Sequence, residues 1–307
     1  MRVRGERRIK ESRTSIVRAP YEGEAIRNAL DLLDVQGLIT STDVVVITPN
    51  WVKNAPVESG TVVGPESLKE LIRWVKQFSP KRIVVACGSG GAQTTDVMES
   101  VGYSKVIGEE KVEFVDLNYG PYTEISLEMA PPLDRIKVNR LYEETTVLIS
   151  FGQIKIHEEA TVSLGIKNVC LSWPPAEIHG FPKKNTGIHD NLHEFIAAMA
   201  KRFPIDLTVL SSDKGMVGTG PSGGLPVDAD IVIASTDPVT ADVIGARLLG
   251  FLPQAVRYLH TLIRDGVGEG DLNKVDLRGM SIEDAEVAFS RAAYGMAMAI
   301  DKGGIRR

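Results

Sequence analysis

One short stretch of this 307-residue sequence concentrates side chains that can do chemistry: Lys155-Ile156-His157, followed by Gly165-Ile166-Lys167-Asn168. Lys155 and His157 alternate across Ile156, so in extended backbone they share one side. Gly165 lets the backbone ahead of Lys167 and Asn168 approach a ligand closely. Two ammonium groups, an imidazole and an amide suit a small carboxylate or phosphate. Lys155 and Lys167 would clamp the anion, and either could also act as a nucleophile. His157 would serve as general base or metal ligand, and Asn168 would orient the substrate. Two solvated lysines beside a satisfied histidine remain the plainer alternative.

Histidine usage points to the same region. Of five histidines, His157, His179, His189 and His193 fall between positions 157 and 193. His189 and His193 are four apart, which a continuous helix would place on one face. With His157 they are the candidate ligands of a divalent metal. The Glu of H-E-x-x-H is missing between them. A helix starting at Asp190-Asn191 would instead leave His189 outside it, for capping or substrate hydrogen bonding.

Two glycine-rich loops follow strand patterns. In Cys87–Gly91 (CGSGG), backbone N–H groups near Gly88 and Gly90 could receive an anion, helped by the next helix N-terminus. Gly215–Gly224, preceded by Asp213 and containing Gly220-Pro221, reads as a loop that covers a ligand or as a mobile turn. Asn50, just after an apolar strand, is a further ligand-binding candidate. Asp237 is an N-cap or a ligand contact. Asp242 lies on a small, apolar helix face and needs a partner if buried, one of the lysines being a candidate. No Ser-His-Asp order stands out, so a hydrolase triad is unsupported.

These candidates must be positioned by alternating strands and helices. Asp43–Thr48, Arg82–Ala86, Val112–Leu117 and Thr145–Phe151 read as strands, mostly in continuous apolar runs that imply burial on both faces. Leu207–Ser211 and Ile231–Ser235 continue the set, with shorter extended pieces at Ile125–Met129 and Ile136–Asn139. Helical spacing marks Tyr21–Gln36, the segment opened by Gly64-Pro65, Thr94–Val101, Asn191–Phe203, Asp237–Leu249, Leu252–Arg264 and Ile282–Ile300. The pattern predicts an α/β fold: a mainly parallel sheet with helices on both faces, plus a smaller inserted lobe. The expected organisation is an N-terminal α/β region over 1–117 and an inserted or irregular lobe over 118–190 carrying the K-x-H…KN segment. A C-terminal α/β region over 191–307 completes the core.

Composition excludes several classes. Hydrophobic residues make up 43% and charged residues 24%, as in ordinary globular proteins. A net charge of -5 gives no basic footprint for nucleic acid. Cys87 and Cys170 cannot by themselves hold an iron–sulfur cluster, which takes four thiolates, so none is expected. No apolar run is long enough to cross a bilayer. The first 18 residues carry seven Lys/Arg without an apolar core to follow, so they read as a solvated arm, a first edge strand or a dock for an acidic partner, not a secretory signal. The expected compartment is the cytoplasm.

The sequence resembles the DUF362 family of prokaryotic α/β proteins. The similarity runs through Val46–Val52 (VITPNWV), Val84–Gly91 (VVACGSGG), Lys155–Asn168 (KIHEEATVSLGIKN), His189…His193, the Asp213–Gly224 loop and Ser235–Gly250 (STDPVTADVIGARLLG). Some members of that family carry an added ferredoxin-like cluster domain, whose cysteines are missing here. The spacing from His157 to Lys167, with Ser163-x-Gly165 between, is also similar to the lactate racemase family. That likeness implies a histidine that binds nickel and a lysine that holds a nickel-pincer cofactor. The same family uses a histidine in an early G-T-H-R loop, and Gly88–Gly91 has none. The expected function is an enzyme acting on a small anionic substrate or cofactor, with or without a metal. A non-catalytic ligand-binding or assembly protein and a redox partner are the alternatives, and a homo-oligomer is left open.

Overall fold

A computed structural model describes residues 6–300. Its strands are β1 (Arg13–Arg18), β2 (Val44–Pro49), β3 (Arg82–Cys87), β4 (Glu113–Asp116), β5 (Tyr122–Ser126), β6 (Arg135–Asn139), β7 (Val147–His157), β8 (Thr161–Ser163), β9 (Leu207–Val217), β10 (Leu225–Val227), β11 (Ile231–Ser235) and β12 (Asp276–Gly279). Ten form one sheet whose path is β12-β1-β11-β9-β7-β2-β3-β4, with β10 on β9 and β8 on β7. The run β9-β7-β2-β3-β4 is parallel throughout. Beyond β9 the sheet turns antiparallel through β11 and β1. The chain is thus an α/β protein with a mainly parallel sheet.

The sheet divides the interior into two cores. Val44 and Val46 of β2 join one hydrophobic cluster, and Val45 and Ile47 join the other. A strand covered on both faces has no solvent side on which to place polar residues, which explains the continuous apolar runs. The Glu24–Leu33 and Pro65–Lys76 helices cover one face. The Gly165–Ser172, Leu192–Arg202 and Pro238–Leu248 helices cover the other. No helix among the described residues is long and apolar enough to cross a membrane.

Several expectations are corrected. The strand beginning near Thr145 does not stop at Phe151 but runs on to His157, and β8 returns beside it. Residues 147–172 therefore lie at the centre of the main sheet and its covering helix. Within 118–190, only β5 and β6 form a separate sheet. β9 likewise extends to Val217, so the first part of the glycine-rich segment is strand. The last helix ends at Tyr294, where Gly295 takes φ 70 and donates its N–H to Arg291. Pro253 opens a short 3-10 turn, so the following helix starts at Arg257.

The basic arm is not a free edge. β1 pairs with β11 on one side and β12 on the other. Ahead of it, Arg8 forms two hydrogen bonds to the Asp43 carboxylate, at 2.6 and 2.7 Å, and Arg7 pairs with Asp237 at 3.0 Å. Burial pushes the Asp43 carboxyl up, but Arg8, Thr40 and Thr146 outweigh it and hold the group below its ordinary range. The acidic partners of Arg7 and Arg8 are thus in the chain itself. The part of the arm at residues 1–5 lies outside the described residues.

Candidate functional site

β2, β3 and β4 succeed one another on one side, whereas β7 and β9 lie on the other. The chain therefore reverses its direction of travel across the sheet between β2 and β7, and their connections diverge at the carboxyl ends. Open α/β sheets place ligands in the crevice such a reversal leaves. A cavity of about 280 Å³ occupies it here, near the lower limit for small-molecule pockets. Its walls come from Asn50–Lys53 after β2, from Gly88, Gly90 and Gly91 after β3, and from His157 at the end of β7. Lys167 and Asn168 enter from the first turn of the Gly165–Ser172 helix, and His189 and Pro221 close the rim. The Trp51 ring, stacked on Tyr103 at 4.2 Å, makes part of this wall rigid.

Lys167 is the anomaly of the site. Its side chain lines the cavity at 8% exposure, yet among the described residues its ammonium has no hydrogen bond and no ion pair. It also stands in the first turn of a helix, where the backbone dipole disfavours a cation. Burial pushes its pKa down to about 8, against the opposing pull of Glu159 and Cys170. Nothing in the fold calls for a lysine there.

The helix that carries Lys167 is anchored from a distance. Asp242 Oδ1 accepts the Gly165 N–H at 2.8 Å, Oδ2 accepts the Ile166 N–H at 3.2 Å, and the Tyr258 hydroxyl donates to Oδ2 at 3.1 Å. Burial raises this carboxyl to about 7 against those bonds. The partners of Asp242 are thus backbone amides and a tyrosine, not a lysine, and it lies behind the cavity. Asp237 is likewise a cap: its Oδ1 accepts from Val239 and Thr240, and its Oδ2 meets Arg7.

Two imidazoles face the cavity with opposite polarity. His157 Nδ1 accepts the N–H groups of Glu159 (3.1 Å) and Ala160 (3.2 Å). Burial and the neighbouring lysines push its pKa down to about 2, so the ring is neutral. A neutral ring with an accepting Nδ1 carries its proton on Nε2. His157 is therefore a hydrogen-bond donor toward a ligand, and in this tautomer neither a base nor a metal ligand. His189 is the reverse. Its Nδ1 bonds Glu159 Oε2, and burial lowers its pKa despite that carboxylate. The proton lies on Nδ1 and Nε2 keeps a lone pair, the arrangement in which a carboxylate orients a histidine base. Lys184 holds the other Glu159 oxygen at 2.6 Å.

Lys155 does not line the cavity. Fully buried, its amine donates to Asn50 Oδ1 at 2.7 Å and to the Thr61 carbonyl at 2.8 Å. Burial and Lys167 push its pKa well below the ordinary range, and a neutral amine has the two N–H groups these two acceptors need. Asn50 reaches Asn168 at 3.4 Å, and Asn168 Nδ2 donates to Thr48 O at 2.8 Å and Ser150 Oγ at 3.2 Å. Asn168 thus ties its helix to β2 and β7. Asn168→Ala is expected to cost about 2–3 kcal/mol, because the buried bonds of its side chain to Thr48 O, Ser150 Oγ and Asn50 are lost together. A urea unfolding curve with unchanged slope and a lower midpoint would show it.

Other candidates separate from the site. His193 Nδ1 accepts the Tyr258 N–H, so His157, His189 and His193 do not converge as a metal centre. Among the described residues no three His, Cys, Asp or Glu side chains form a metal cluster. Asp213 lines a different cavity. Gly220 packs so closely on β7 that a Cβ would lie 1.9 Å from the Ile156 carbonyl, which brings Pro221 to the rim. Gly88 leaves similar room for the Ser172 carbonyl, which a Cβ would approach to 2.3 Å. Lys183, which sequence reasoning passed over, is fully enclosed: its ammonium donates to the carbonyls of Gly88, Leu171 and Ser172. It thereby caps the carboxyl end of the helix that presents Lys167.

The sequence pattern of a family described as "Domain of unknown function (DUF362)" matches residues 45–247, more than half of the chain. A thylakoid-associated protein from Synechocystis sp. is 21% identical over 234 residues, covering 76% of this chain and 71% of that protein. Among solved structures, the lactate racemase apoprotein from Thermoanaerobacterium thermosaccharolyticum is similar with a TM-score of 0.40 and 18% identity. That similarity covers 67% of this chain and spans about half, 52%, of the length of the racemase.

Proposed function

The chain belongs to the DUF362 family, and from that premise we propose that it is an enzyme for a small carboxylate or phosphate compound, to or from which it transfers a proton. The observation that carries this reading is the unpartnered Lys167 ammonium, which faces a half-open cavity of about 280 Å³. An anionic group would take the place its missing partner leaves. The Nε2–H of His157 would donate a second bond to the same ligand. His189, oriented by Glu159, would act as the base on the carbon or hydroxyl beside the anionic group.

No step of this reading runs through a metal or a nickel-pincer group. The donor set does not fit a nickel held by His157, because its Nδ1 lone pair is used by two backbone amides and Nε2 bears the proton. The cavity also supplies the base that such chemistry requires without a metal.

The test is deuterium incorporation from D2O into a panel of small 2-hydroxy and 2-keto acids, followed by proton NMR. The wild-type protein is expected to catalyse exchange beside the carboxylate of at least one member. His189→Gln is expected to slow it by about 10²–10⁴-fold, the range typical of a lost general base. Glu159→Gln is expected to act more mildly and to shift the pH profile, since it changes the orientation and basicity of His189. An inert panel, or equal rates in His189→Gln, would overturn the assignment.

A further inference from the structure

A second cavity, of about 390 Å³, shares no lining residue with the first. Its walls include Glu22, Glu58, Gln153, Asp213 and Asp230, against the single cation Lys214, whose ammonium pairs with Asp228 at 2.7 Å. Two of these residues hold oxygens in an unexplained state. Gln153 is 3% exposed and its amide nitrogen donates to the carbonyls of Val62 and Lys214. That choice of partners fixes which end is nitrogen, and the buried Oε1 has no donor. Asp213 Oδ2 accepts the Ser67 hydroxyl at 2.8 Å, and Ser211 and the Gly23 amide also stabilise the carboxylate, while its buried Oδ1 has no donor in good hydrogen-bond geometry.

A buried acceptor without a donor carries its full desolvation penalty. Here there are two, on residues that meet the same short segment: Gln153 holds Val62, and Asp213 holds Ser67. Glu22 joins them from the other side, accepting the Ser67 N–H at 3.2 Å. We propose that Asp213 Oδ1, Gln153 Oε1 and the Glu22 carboxylate form a binding site for a hard divalent cation of the calcium, magnesium or manganese class. Oxygen donors alone, two carboxylates and a neutral amide, select such ions over zinc or copper. Glu22 is exposed, so water can complete the coordination from that side. A bound ion would clamp the segment around Val62–Ser67 to β7 and β9. Thr61, at its start, accepts the Lys155 amine, so the ion would also stiffen the support behind Asn50.

The competing occupant is a proton on Asp213, whose carboxyl is raised first by burial. The experiment therefore runs at about pH 8, well above the ordinary aspartate range. Chelator-treated full-length protein is dialysed against calcium, magnesium or manganese chloride, and bound metal and Tm are measured. One ion per chain is expected for at least one metal, with a Tm rise of about 5 °C at saturation. Asp213→Asn is expected to lose both effects while folding normally, because its remaining carbonyl oxygen can still accept the Ser67 hydroxyl. Glu22→Gln, at the exposed side, is expected to weaken binding by about tenfold. No binding of any of the three ions overturns the site, as does undiminished binding in both variants.

Discussion

Lys167→Met is expected to abolish anion binding in the first cavity, by at least about 100-fold, and to leave the protein as stable as the wild type or more so. The two halves come from one fact: the ammonium of a largely buried residue faces the cavity with no hydrogen bond or ion pair among the described residues. A charge-assisted contact in an enclosed site contributes several kcal/mol to a bound anion, enough for the stated loss. In the empty protein the same charge is a burden. Its pKa falls from 10.5 to about 8 on folding, so between those values the unfolded chain holds more protons than the folded one. Stability therefore rises with pH across that window, and below about pH 8 the full penalty, about 3 kcal/mol, applies. Methionine removes the penalty and keeps the volume. Calorimetric titration with pyruvate and with inorganic phosphate, alongside urea unfolding at several pH values, measures both halves. A variant that binds as well as the wild type would detach Lys167 from the site.

Asp242→Ala is expected to cause the largest loss of stability among the substitutions considered, about 3–5 kcal/mol. It would leave the Gly165 and Ile166 amides and the Tyr258 hydroxyl without an acceptor in the interior, and each orphaned donor costs about 1–3 kcal/mol. The damage should reach function too, because these amides set the position of the turn that presents Lys167. The carboxyl also predicts a pH signature. Its pKa rises from 3.8 to about 7 on folding, so between those values the folded chain holds more protons. Its contribution to stability therefore falls as pH rises through that interval and is constant beyond it. Asp242→Asn should keep much of the cap through its carbonyl oxygen and lose this pH dependence. Equal pH profiles for wild type and Asp242→Asn would show that Asp242 is ionised throughout.

The legible part of the fold was the part governed by burial. Asp43–Thr48 and Arg82–Ala86 announce themselves because their middles, sandwiched between helices, are continuously apolar. The same rule concealed the end of β7. Gln153, Lys155 and His157 break the apolar run, so the strand seems to stop at Phe151, although its polar end is buried by pairing with β8, Asn50 and the Thr61 carbonyl. Lys155 illustrates the limit further. Two lysines close in sequence look equivalent, but one is consumed by two acceptors inside the fold and the other meets empty space. Polarity of the histidines was equally hidden, since it depends on which atom lies opposite each Nδ1. Glu159 was within reach of the pattern, standing two residues after His157, but its role requires His189 to be folded back over it. Lys183 gave no signal, because its partners are backbone carbonyls.

If Lys167 waits in its cavity for an anion, the pKa of its amine must respond to one. Heteronuclear NMR of lysine side chains, with Lys167→Met to assign the signal, gives the value with and without pyruvate or inorganic phosphate. A titration near 8 is expected in the free protein, moving back toward 10.5 when either anion binds, because the ligand stabilises the charged form. A value near 10.5 in the free protein, unmoved by both anions, would contradict it.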